Sequence, residues 1–337
     1  MHTKKNHLKP GDLVEILSPA EIFKTIDSNG TINGLPFMPE MLELCGKKFR
    51  VLNRINKTCV EVGYPVSDRE FINNDVVTLV NARCGGQSHS GCQRGCLIFW
   101  KETWLKKVAS ESNNEDKTFG SDIEKFGRQL KIMDDEKSYF CQSTQLYKAT
   151  NELSRVKQLI KIFKNKKDKY NFIRAFVSVV ISAFRKIKIK IIDNFPKGKL
   201  TKTPIETLNL QPGDMVEVKP YKLIAETLNK NGKNRGLIFS QNMKTYCGRR
   251  FKVKNRIEKM ILEKNGKMIE MQSTVILEDV NCTACTLFGA CERKGYHFWR
   301  EIWLEKIEPQ TDLQILNKLH DLQETKIRIS SFGEKYQ

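Results

Sequence analysis

Three cysteines and a histidine fall within thirteen residues: Cys84-Gly85-Gly86-Gln87-Ser88-His89-Ser90-Gly91-Cys92-Gln93-Arg94-Gly95-Cys96. Metal ligands must converge from flexible backbone, and the interleaved glycines supply the turns this needs. Zinc takes four Cys or His ligands in a tetrahedron, and iron–sulfur clusters take Cys thiolates. Cys45, followed by Gly46 at the start of an expected strand, is a distant fourth ligand. The spacing lacks the Cys-x-x-Cys knuckle of zinc ribbons and the ferredoxin spacings. Two other readings compete. Free cysteines often serve as small buried apolar residues, although Gly-, Ser- and Gln-rich surroundings are poor core sequence. A reactive thiol needs a cation to lower its pKa, and Arg83 and Arg94 are at hand.

The pattern returns later in the chain, altered. Cys45, Cys84 and Cys92 recur as Cys247, Cys282 and Cys291. Gly295 replaces Cys96, Ile261 replaces Cys59, and nothing replaces His89. Cys285 is added, which makes Cys282-Thr283-Ala284-Cys285 a knuckle spacing. Each copy thus offers four ligands: Cys45, Cys84, Cys92 and Cys96 in one, Cys247, Cys282, Cys285 and Cys291 in the other. The spacing assigns no place to Cys59 or to Cys141.

The elements that carry these residues are duplicated. Pro10-Gly11-Asp12-Leu13-Val14-Glu15 returns as Pro212-Gly213-Asp214-Met215-Val216-Glu217. Phe99-Trp100-Lys101-Glu102-Thr103-Trp104-Leu105 returns as Phe298-Trp299-Arg300-Glu301-Ile302-Trp303-Leu304. Such self-similarity sets domain boundaries: a first repeat over 8–108, a polar mobile linker over 109–138, a basic helical segment over 139–207, a second repeat over 208–309, and a tail over 310–337. Strands are expected at 13–17, 49–55, 59–62 and 76–80, from their alternating or β-branched pattern. Gly30 and Gly34, paired with Gly232 and Gly236, predict positive-φ turns in an ordered first loop. Lys264-Asn265-Gly266-Lys267 predicts a hairpin. Over 100–108 the large apolar residues share a helical face. The expected fold is mainly β with a helical linker: two SH3-like small barrels, each closed by a short helix carrying Trp100 and Trp104 or Trp299 and Trp303. These tryptophans read as core anchors before they read as a stacking platform for bases. Glu102 and Glu301 between them read as structural.

The 337 residues carry 58 Lys+Arg against 39 Asp+Glu, a net charge of +19. That predicts attraction to polyanions, with nucleic acid as the leading partner. Phe172, Phe176, Val179, Val180 and Phe184 form an apolar stripe followed by Arg185, Lys186, Lys188 and Lys190. The segment 172–190 reads as a helix packed on a barrel, or else as a surface helix for an anionic membrane. The amino-terminal residues show no signal peptide, and no apolar run spans a bilayer. A cytoplasmic setting is expected, with thiols reduced or metal-bound. No phosphate loop, dinucleotide fingerprint, nucleophile elbow or zincin helix occurs.

Several strings together resemble a family of bacterial hypothetical proteins with the same two-copy layout. They are Gly34-Leu35-Pro36-Phe37-Met38-Pro39-Glu40-Met41, Cys92-Gln93-Arg94-Gly95-Cys96 and Cys141-Gln142-Ser143-Thr144. The resemblance spans about residues 8–307 and brings no activity with it. It implies that Cys45, Cys84, Cys92, Cys96, Cys141, Cys247, Cys282 and Cys291 are characteristic positions, and that Cys285 is peculiar to this chain. It also implies a cysteine near Thr274, absent here, so a complete site in the second repeat is in doubt. The function expected first is a non-catalytic module holding zinc or an iron–sulfur cluster. A thiol-based or iron–sulfur enzyme or redox accessory protein comes second, and a membrane-peripheral assembly factor third.

Overall fold

The computed structural model describes residues 7–60, 67–109, 119–153, 196–282 and 292–307. The protein is mainly β. Gly11, at φ +90°, turns the chain into strand Leu13–Ile16, whose Val14 and Ile16 are fully buried. This strand pairs antiparallel with Lys48–Arg54 on one side and Leu105–Lys107 on the other. Lys48–Arg54 pairs with Val76–Arg83, which pairs with Leu97–Lys101. Met215–Val218, Arg250–Arg256, Thr274–Asn281, Tyr296–Arg300 and Leu304–Lys306 repeat the order, giving two five-stranded half-barrels. Even the irregularities recur. Register shifts fall at Val51/Asn53 and Val253/Asn255, and the left-handed residues Asn81 and Asp279 occupy equivalent places.

The helix expected over 100–108 does not form. Trp100 lies on strand Leu97–Lys101, Glu102–Trp104 is a single 3-10 turn, and Leu105–Lys107 is strand. The reason is Glu102. Its carboxylate accepts from the Leu8 amide (2.7 Å) and from the Arg54 guanidinium (2.5 Å), so the chain must bend there. Glu301 does the same with the Leu208 amide (2.6 Å) and Arg256 (2.8 Å). Both tryptophans of each pair still anchor the core. Phe37 meets Trp100 and Trp104 edge-on at 6.4 and 5.3 Å, and Phe239 meets Trp299 and Trp303 at 6.1 and 5.2 Å. Edge-to-face pairs add about 1 kcal/mol each to the area they bury.

The long first loop is ordered, as its glycines predict. Gly30, Gly34, Gly232 and Gly236 all have positive φ. The loop holds helix Pro19–Phe23, a hairpin of Thr31–Ile32 with Leu35–Pro36, and helix Pro39–Leu42. The Asn265-Gly266 turn joins the paired strands Lys259–Ile261 and Met268–Glu270.

Residues 119–153, read as linker and then as the start of a helical segment, build onto the first repeat instead. Helix Gly120–Gly127 sets Phe126 against Phe23, ring centroids 4.3 Å apart. Thr150–Glu152 joins Ser67–Phe71 and Thr58–Val60 in a three-stranded sheet. Gln142, on the short helix Gln142–Gln145, accepts from the Phe99 amide (2.9 Å) and donates to the Phe99 carbonyl (2.8 Å). It thereby stands in for the missing neighbour strand of Leu97–Lys101. The stripe and basic run at 172–190 lie outside the described residues. No helix among the described residues is long and apolar enough to cross a membrane.

Candidate functional site

The loop from Cys84 to Cys96 is closed at its base, where the Cys84 amide donates to the Cys96 carbonyl at 2.8 Å. Cys282 and Gly295 repeat that bond at 2.8 Å. Gly86 has φ +74°, and a Cβ there would lie 2.0 Å from the Cys92 carbonyl oxygen, so only glycine fits.

His89 is buried inside this loop. Its Nδ1 lies 2.6 Å from Glu40 Oε1 and its Nε2 lies 3.1 Å from the Phe140 carbonyl. Burial opposes its charge, but the Glu40 hydrogen bond and charge outweigh this and raise the pKa. Both ring nitrogens face acceptors, so neither offers a lone pair to a metal. Glu40 also accepts from the Ser88 amide at 3.1 Å. Its Oε2 is buried without a hydrogen-bond partner among the described residues, and its charge acts on Cys84.

Cys96, at the end of the loop, is half-buried. Cys84, Cys92 and Cys141 each interact electrostatically with it. Cys92 Sγ accepts the amide of Ile261, from the other repeat, at 3.3 Å. Burial dominates their acidity. It pushes Cys141 up to about 11 and raises Cys84 and Cys92, so all three stay protonated near neutrality.

Cys45 stands apart. Its Sγ donates to the Met41 carbonyl at 3.8 Å, and burial alone pushes its pKa to about 12. In the second repeat Cys247 is half-buried and Cys282 acts on Tyr246. Cys285 and Cys291 lie outside the described residues. Among the described residues, no three His, Cys, Asp or Glu side chains are disposed to hold a metal ion.

The loop sits on the seam between the repeats, and the seam is two-fold. The Gln93 side chain accepts from the Glu258 and Lys259 amides at 2.6 and 3.1 Å. Its equivalent, Glu292, accepts from the equivalent Asn56 and Lys57 amides at 2.7 and 2.9 Å. Arg83 lies close to the two-fold axis. It donates to the equivalent carbonyls of Gly95 (2.8 Å) and Lys294 (3.2 Å), and its guanidinium covers the Tyr296 ring at 4.0 Å. At the centre Glu263, its side chain 1% exposed, receives Arg293 at 2.6 Å and Arg94 at 3.3 Å. Ser143 Oγ donates to Glu263 at 3.2 Å and accepts from Arg293 at 3.0 Å. A cavity of about 240 Å³ opens here, lined by Val60, Ser143, Thr144, Tyr147, Glu263 and Lys264. The charges of Arg83 and Arg293 both reach Cys96.

Spacing missed Glu40, Cys141, Arg293 and Glu263 as parts of this site. The signals available were the recurrence of Arg94 as Arg293 and the motifs that carry Glu40 and Cys141. No family model, curated protein or solved structure matches the chain.

Proposed function

We propose that the protein is a metal–thiolate module in which Cys84, Cys92, Cys96 and Cys141 hold one soft cation, zinc first, between two SH3-like barrels. The observation that carries this is the buried, glycine-turned loop that brings Cys84 and Cys96 together at its base and aims the Ile261 amide at Cys92 Sγ at 3.3 Å. Amides aimed at sulfur stabilise thiolates and tune metal–sulfur centres. Burial keeps the free thiols protonated, and a bound divalent cation would deprotonate them. The metal would draw the sulfurs inward on a loop whose Gly86, Gly91 and Gly95 all have positive φ. The barrel assignment is supported by the strand order, the long first loop and the 3-10 turn before the last strand.

Elemental analysis with a visible spectrum, on protein purified anaerobically, tests this. Near-stoichiometric zinc without colour is the expected result. Iron with a brown absorbance would place a cluster there instead. No metal at all would overturn the reading. The net charge of +19 supports a polyanion as partner, nucleic acid first. DNA or RNA affinity should then fall steeply with salt.

A further inference from the structure

The second repeat has kept a buried cation and lost its counter-ion. In the first repeat Lys101 is fully buried, and its Nζ lies 2.8 Å from the Asp75 carboxylate. Arg300 and Ser273 hold the same two positions in the second: the amides of Glu102 and Glu301 donate to the Asp75 and Ser273 carbonyls at 2.8 Å in both. Arg300 is 6% exposed. Its guanidinium donates to the carbonyls of Asn234 (3.4 Å), Gln272 (2.6 Å) and Arg235 (2.7 Å), and to Thr274 Oγ1 (2.8 Å). No carboxylate bonds it among the described residues.

A second guanidinium makes the imbalance worse. Burial, and then the charge of Arg235, lower the Arg300 pKa to about 10. Both arginines line a cavity of about 550 Å³ together with Thr201, Lys202, Thr203, Glu270 and Gln272. Glu270 is exposed on a hairpin strand opposite Lys259, and it is not among the groups that act on Arg300. The Arg235 amide donates to Thr203 Oγ1 at 2.9 Å, which fixes the 201–203 segment as one wall. Uncompensated buried charge is costly; Arg300 keeps one Nη2 N–H for an oxyanion, and the exposed Arg235 side chain beside it supplies a guanidinium fork.

We propose that this cavity binds a small phosphate-type oxyanion, with Arg300 and Arg235 as its main contacts and Lys202 beside them. The oxyanion is free phosphate or the phosphate group of a small organic ester, and 550 Å³ leaves room for either. The inference is independent of the thiol cluster.

Isothermal titration of the full chain with inorganic phosphate, and separately with glycerol 3-phosphate, tests it against chloride at matched ionic strength. Two variants accompany it. Arg235→Asn places there the residue the first repeat carries at this point, Asn33, whose φ is likewise positive. Ser273→Asp restores the lost carboxylate. Saturable binding of one ligand per chain is expected, weakened at least tenfold in each folded variant. A tighter ester than phosphate identifies an organic phosphate, and equal or weaker ester binding identifies the free ion. Absence of saturable binding by both ligands, or affinity unchanged in the variants, overturns the proposal.

Discussion

Arg94 and Arg293 occupy the same position in the two repeats and make the same bond in opposite directions. Arg94 donates to the Ile261 carbonyl and Arg293 to the Cys59 carbonyl, both at 3.2 Å, and Ile261 and Cys59 are themselves equivalent. This is the self-complementary geometry of a two-fold dimer, here within one chain. Glu263 receives both guanidinium groups. Removing one member of a buried charge network strands the rest, at about 3–5 kcal/mol. Glu263→Ala should therefore lower stability by about that amount in urea unfolding. A change under about 1 kcal/mol would show that the pair does not hold the seam.

The proposed ligand set separates two cysteines that spacing treats alike. Cys96→Ser should abolish bound zinc, whereas Cys45→Ala should retain it and cost only packing, about 1 kcal/mol. Elemental analysis of the two purified variants decides. Equal loss in both would return Cys45 to the site.

Gly86→Ala tests the loop itself. Left-handed backbone costs a non-glycine residue roughly 1–2 kcal/mol, and the added Cβ strikes the Cys92 carbonyl. The loop must open, so alkylation of Cys84 and Cys92 by a maleimide should accelerate at least tenfold. Unchanged labelling would mean that the loop absorbs the Cβ without moving its thiols.

His297 sets an acid limit on the second repeat. Burial lowers its pKa to about 4 from the ordinary 6.5, and its Nε2 has no partner among the described residues. The folded state holds the imidazole neutral, while the unfolded chain takes up a proton below about 6.5. The stability tied to this group is therefore complete above pH 6.5 and is lost as pH falls toward 4, on the order of 3 kcal/mol. His297→Ile copies Ile98 of the first repeat and should flatten that dependence in urea titrations between pH 7 and 4. An unaltered pH profile would assign acid sensitivity elsewhere.

Gln142 ties 119–153 to the first sheet. Gln142→Leu leaves the Phe99 amide and carbonyl without their side-chain partners. The expected loss is about 1–3 kcal/mol per buried group. Hydrogen exchange at the Phe99 amide should quicken accordingly, and native-like protection there would contradict the role.

Strands, turns and the duplication were legible from residue type alone, because alternation, glycine φ preference and repeated motifs are local properties. Gly30, Gly34, Gly236 and the Asn265-Gly266 turn behave as their chemistry requires. Trp100 and Trp104 misled, since an i, i+4 pair fits a helical face as well as a strand followed by a tight turn. The distant amide and guanidinium captured by Glu102 chose between them. The cysteine-rich loop was visible in the sequence, but its partners were not. Cys141 comes from beyond the first repeat, Glu263 from the second, and Cys45 turns into the core. Ligand spacing encodes only neighbours along the chain. How the two repeats dock around Arg94 and Arg293 is decided by long-range pairing of buried charge with Glu263.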